Sequence, residues 1–211
     1  MRYILALLNI CVLCFATSAG ADPAKDVFKK IEPYSVGIIV EDGTGSGTIV
    51  GANGDSVDVL TCFHVIDGDK HILIVYDDEG VKIQTTKATV IATDKPHDLA
   101  LLRTTNPKHR PVAPVAEIEP EDYEELYTVA SPLGIQRQAA TERLATKDMK
   151  TGWTFTGMAI FGMSGSAAMN ERGEVTCVIR GTATDDDEIY TQMGYCIPLS
   201  AIRSFLKGAA K

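Results

Sequence analysis

The chain has 211 residues, 20 Lys and Arg against 28 Asp and Glu, a formal charge of −8 at pH 7, and 45% hydrophobic residues. An acidic balance without a basic run excludes a protein that holds nucleic acid or anionic lipid by charge. The length is enough to bury a substantial core.

Residues 1–21 read as a secretory signal. Arg2 supplies the positive start, Ile4 to Phe15 an apolar run broken only by Asn9, and Ala19-Gly20-Ala21 a small-x-small cleavage site. The run is shorter than the roughly 20 residues that span a bilayer, so the alternative of a membrane anchor is disfavoured. The expected location is secreted or periplasmic, with no stable membrane insertion once the signal is cut. Beyond it lie Cys62, Cys177 and Cys196. An odd number leaves at least one thiol free; a Cys177–Cys196 bridge is compatible with neighbouring strands, but three small buried thiols is the favoured reading.

Short β-branched runs follow in close succession: Ser35–Val40, Val57–Leu60, His71–Tyr76, Ala88–Ile91 and Leu99–Leu102, with turns such as Asn53-Gly54-Asp55 between them. Thr104 to Pro114, with three prolines, reads as a linker. A second set comprises Leu126–Ala130, Ala167–Met169, Val175–Ile179 and Tyr190–Ile197. Many short strands with close turns predict an all-β protein, an antiparallel sandwich or a pair of barrels. One helix is expected, at the end, capped by Ser200, carrying Ile202, Phe205 and Leu206 on one face and stopped by Gly208.

Three segments offer the members of a nucleophilic triad: His64 in Leu60–His64, Asp98 in His97–Leu102, and Ser164 in Phe161–Ser166. Serine needs a base, and the base needs an acceptor that fixes its tautomer. The order His, Asp, Ser is chymotrypsin-like; an α/β-hydrolase runs Ser, Asp, His, and no histidine follows Ser164. His97 is the inferior candidate base, since it adjoins the orienting carboxylate, and His71 and His109 read as surface residues. No two histidines have metal-ligand spacing, so neither a catalytic metal nor another cofactor is expected.

These residues resemble the chymotrypsin-like (trypsin-like) serine peptidases, most closely the bacterial HtrA-type branch. The resemblance rests on Gly45–Val50, Thr61–Val65, Asp94–Leu102, Ala130–Gly134 and Ile197-Pro198 in the family's order and spacing. It implies two six-stranded antiparallel β-barrels with a short C-terminal helix, residues 22–110 carrying His64 and Asp98 and residues 111–211 carrying Ser164. Because the sequence ends at Lys211, no PDZ module is expected. The implied activity is that of an exported serine endopeptidase acting on protein or peptide substrates through an acyl-enzyme. The alternative is a weak or inactive homologue that binds peptides; a thiol enzyme using Cys62 is remote.

The resemblance further implies an oxyanion hole from the backbone N–H groups of Gly162 and Ser164. It implies a pocket for the residue before the scissile bond lined by Met158, Ala159, Ile179, Arg180, Gly181 and Gly194. That pocket has no acid at its base, which disfavours tryptic specificity. Met163 stands where many relatives have an aspartate that pairs with a newly cut N-terminus, so activation by that ion pair is not expected. Ile179 stands where a hydroxyl or amide often supports the triad aspartate, and that support is expected to be missing. Asp185 to Glu188 reads as a solvated loop, with calcium binding or a bias toward basic substrate flanks as the functional alternative.

Overall fold

Inward side chains alternate along the strands, and closure into barrels removes the edges such strands would otherwise expose. The computed structural model describes residues 22–76, 83–107, 109–132, 137–147, 152–157, 159–185 and 188–209. The proposed signal at 1–21 lies outside them.

The first barrel holds β1 (Ser35–Val40), β2 (Gly43–Asn53), β3 (Ser56–Cys62), β4 (Ile72–Tyr76), β5 (Gln84–Asp94) and β6 (Leu99–Thr105), paired in the order β1-β2-β3-β6-β5-β4 and closed. The second holds β7 (Glu125–Ala130), β8 (Gln138–Thr146), β9 (Trp153–Thr156), β10 (Ala167–Met169), β11 (Val175–Asp185) and β12 (Glu188–Pro198), closed in the order β10-β11-β12-β9-β8-β7. All pairings within them are antiparallel. Ile38, Ile49, Leu60, Ile74 and Leu102 fill the first barrel, and Leu126, Leu144, Trp153 and Phe155 the second. The all-β, two-barrel expectation is therefore met.

The described helices depart from the reading above. α1 (Pro23–Ile31) was not anticipated, although Asp22-Pro23 is a helix start: the Asp22 carboxylate accepts from the Ala24 N–H at 3.1 Å, and Pro23 takes the first helical position. It buries Val27 and Ile31, and the Phe28 ring meets Tyr127 edge-on at 5.6 Å. α2 spans Leu199–Ala209, so Ser200 lies inside it rather than capping it, and Gly208 is tolerated rather than terminating. The face is as expected, with Ile202 and Phe205 buried.

The cysteine reading is corrected as well. Cys177 on β11 and Cys196 on β12 form a disulfide with their Cα atoms 5.8 Å apart, and Cys62 is the free, buried thiol among the described residues. Ile179 is the direct partner of Cys196, so the two cysteines sit diagonally on neighbouring strands, within bridging reach.

One inward position of β8 is unusual. Between the buried Ala140 and Leu144, Glu142 is 1% exposed, and among the described residues neither carboxylate oxygen has a hydrogen-bond partner. Burial pushes its pKa up to about 8. It lies against Gly157 (φ 149°), where a Cβ would overlap its Oε2.

Candidate active site

His64 and Asp98 meet at the end of the first barrel. A one-turn 3-10 helix, Phe63–Val65, follows β3, and the tight turn before β6 carries Asp98 at φ 58°. That left-handed conformation is uncommon outside glycine, and aspartate is among the residues that tolerate it. It turns both ends of Asp98 toward the 3-10 helix. The Asp98 carbonyl accepts from the Phe63 N–H at 3.0 Å, Oδ1 accepts from the His64 N–H at 2.9 Å, and Oδ2 lies 2.8 Å from His64 Nδ1. Burial pushes the Asp98 carboxyl up, but the hydrogen bonds from His64, its charge and the Arg180 guanidinium outweigh burial, and the net shift is downward. Asp98 is thus held as an acceptor that leaves the far nitrogen of His64 free to take a proton. His97 has its own partner, Asp94, at 2.8 Å and is exposed.

Ser164 reaches the same cleft from the second barrel, on a loop fastened to the first. The Ser46 N–H donates to the Ser164 carbonyl at 2.9 Å, and Ser46 Oγ donates to the Gly162 carbonyl at 2.7 Å. Gly165, at φ 89°, passes so close that a Cβ would overlap Thr61 Oγ1 and the Ser46 carbonyl, so glycine is required by both space and backbone. Met163 is fully buried beneath the loop. Among the described hydrogen bonds, neither the Gly162 nor the Ser164 N–H donates to a protein acceptor. His64, Gly162 and Ser164 together line a cavity of about 450 Å³. The Ser164 hydroxyl donates to the Arg180 carbonyl at 3.0 Å.

Of the residues expected to line the specificity pocket, Met158 lies outside the described residues. Ala159 and Ile179 are buried at 1% and 0% exposure, and Gly194 packs so tightly that its Cβ would sit 2.9 Å from that of Ala159. Arg180 and Gly181 line a second cavity of about 590 Å³ with His64, Asp98 and Tyr195. The Arg180 side chain does more than line it: its Nε lies 3.3 Å from Asp98 Oδ2. The missing support expected at Ile179 is therefore supplied one residue later, by a guanidinium. A register shift between Ile179 and Gly181 leaves Arg180 as the extra residue of a bulge, and nothing in strand periodicity announces such a bulge. The side chains of residues 184–191, which include the acidic hairpin, lie outside the description.

Cys62, His64 and Asp98 bring donor atoms within 4.8 Å of one another. Those atoms are engaged as hydrogen bonds: the Cys62 thiol, its pKa pushed well up by burial, donates to the Ile179 carbonyl at 3.3 Å, and the imidazole faces Asp98.

The model of the trypsin-like peptidase domain matches residues 45–178, well over half of the chain and parts of both barrels. The chain belongs to that family. It is 31% identical over 173 residues to the serine protease Do-like HtrA of Lactococcus lactis subsp. cremoris, covering 73% of this chain and 42% of that protein. It is 26% identical to the serine protease HtrA-like of Staphylococcus haemolyticus, covering 79% of this chain and 28% of the other. The chain thus spans less than half the length of these relatives. Among solved structures, the serine endoprotease from Yersinia pestis superposes with a TM-score of 0.73 at 18% identity, covering 88% of this chain and 66% of that one. Rv3671c from M. tuberculosis H37Rv, in an inactive form, gives 0.71 at 20% identity over 87% and 90%. These likenesses establish the chymotrypsin-like fold.

Proposed function

We propose that the chain is an exported serine endopeptidase in which Ser164 is the nucleophile, His64 the base and Asp98 the orienting carboxylate. The observation that carries the reading is the two-point grip of Asp98 on His64, through Nδ1 at 2.8 Å and the main-chain N–H at 2.9 Å, in a cleft that also contains Ser164. Such a grip serves a histidine that must accept and return a proton without rotating.

On substrate binding the Ser164 hydroxyl turns from the Arg180 carbonyl to His64. Its oxygen attacks the scissile carbonyl carbon as the proton passes to His64. The oxyanion is met by the N–H groups of Gly162 and Ser164, each worth roughly 3 kcal/mol of barrier. Collapse expels the amine, which takes the proton from His64, and water then hydrolyses the acyl-enzyme by the same route. The specificity pocket is assigned to Met158, Ala159, Ile179, Arg180, Gly181 and Gly194, and the substrates are proteins or peptides. The division falls at 110/111, with 1–21 as signal. The signal-like start supports export, and so does the Cys177–Cys196 bridge, because disulfides persist in oxidising compartments.

Fluorophosphonate labelling of the protein starting at Asp22 tests this. Wild type is labelled and cleaves casein; Ser164→Ala does neither while unfolding at the same temperature. Labelling that survives Ser164→Ala would mean another nucleophile. An unlabelled wild type would favour the peptide-binding homologue, in which the Ser164–Arg180 hydrogen bond is the resting arrangement and not a prelude.

A further inference from the structure

Arg180 touches both ends of the proposed triad. Its guanidinium Nε lies 3.3 Å from Asp98 Oδ2, the same oxygen that faces His64 Nδ1, and its carbonyl receives the Ser164 hydroxyl at 3.0 Å. A bulge in β11 aims it there, a known use of bulges beside active sites. We infer that Arg180 is a positioning residue: its guanidinium, held on the Asp98 oxygen that faces His64, opposes protonation of the imidazole that must accept the Ser164 proton. This rests on the function proposed above.

The direction follows from charge. Asp98 favours imidazolium; a guanidinium on the same oxygen opposes it and competes for the lone pair that His64 uses. Arginine does not titrate in this range, so the effect persists as acid is added, unlike that of a second histidine. Other groups face His64 as well. Asp42, on the β1–β2 turn, and Asp67 and Asp69, after the 3-10 helix, share a cavity with it and favour imidazolium. Lys95, before Asp98, lines the opposite cavity and acts with Arg180, although its ammonium sits over the Phe63 ring at 4.7 Å. Cys62, from β3, is held neutral by burial, and Tyr195, from β12, lines the same cavity as Lys95. Of all these groups, only Arg180 and His64 bond directly to the Asp98 carboxylate in the described hydrogen bonds. Removing Arg180 leaves the three aspartates less opposed.

The test follows the His64 imidazole by NMR across pH in wild type, Arg180→Gln and Arg180→Lys, with the rate of fluorophosphonate labelling measured alongside. Arg180→Gln moves the imidazole midpoint and the labelling midpoint upward together, and Arg180→Lys restores most of the difference. The side chain is 57% exposed, so the displacement shrinks at about 1 M salt, where the Debye length is roughly 3 Å. A role in substrate contact alone would change KM for acidic peptides and leave both midpoints in place, which overturns the inference. If wild type is not labelled at all, the peptidase reading fails, and the NMR midpoints still decide whether Arg180 acts on His64.

Discussion

Replacing Glu142 with glutamine removes a titration that the fold makes costly. In the barrel interior its carboxyl has no partner among the described residues, and burial carries it from 4.5 to about 8. The folded protein therefore keeps a proton that the unfolded chain has released, and stability falls as pH rises from about 4.5 to 8, then levels. At ~1.36 kcal/mol per pH unit the full displacement amounts to about 5 kcal/mol, of which about 4 kcal/mol falls between pH ~5 and ~9. For a chain of this size that corresponds to a Tm lower by roughly 8–16 °C at the alkaline end. Glu142→Gln, neutral throughout, should match wild type within about 1 kcal/mol near pH ~5 and exceed it by several near pH ~9. Calorimetry and urea titration at both pH values, in a Ser164→Ala background that prevents self-digestion, read the difference directly. Parallel stability profiles for the two proteins would refute the reasoning, because they would show Glu142 ionising in the folded state as readily as in the unfolded one.

The disulfide closes a loop with a sequence separation of 19 residues. Cys177→Ala should therefore cost about 3 kcal/mol by loop entropy, seen as a Tm drop that reductant reproduces in wild type but not in the mutant. Gly165→Ala should abolish labelling and lower Tm, since the new Cβ collides with the Ser46 carbonyl and Thr61; a labelled, stable variant would contradict the close approach. Asp98→Asn should keep the fold and lower kcat by about 10⁴ through the wrong imidazole tautomer, measured as peptide turnover at pH ~8. With Met163 buried where an ion-pairing aspartate would stand, a short tag ahead of Asp22 should leave turnover within a few-fold of the untagged protein. A tagged form silent until cleaved would overturn that.

The barrels were legible because closed antiparallel strands leave a mark on sequence: Ser35–Val40 and Ala167–Met169 have the predicted bounds. β8 and β9 were not found, since Gln138–Thr146 mixes charge into its inward face at Glu142, and Trp153–Thr156 is too short for a period. The triad candidates were legible through order and neighbouring glycines. Arg180 was assigned to the substrate pocket and its bond to Asp98 was not read, because a bulge changes which way a side chain points without changing composition. The bridge was read only as the less favoured alternative for a related reason: sequence spacing does not disclose that Ile179, and so Cys177 diagonally, lies opposite Cys196.

Ser46 has a bearing on biosynthesis. It is fully buried at the seam, and its hydroxyl accepts from the Ser131 N–H at 2.8 Å while donating to Gly162. The loop that carries Ser164 thus takes its shape from a strand of the other barrel. A nascent chain with only one barrel formed has no template for that loop, so on the proposed function competence to react at Ser164 arises only when the two halves dock. On the function proposed above, the order of folding itself keeps a half-folded molecule from cutting its neighbours. Ser46→Ala would loosen that seam, and stopped-flow refolding should then show labelling competence lagging behind the recovery of barrel structure, whereas in wild type the two appear together.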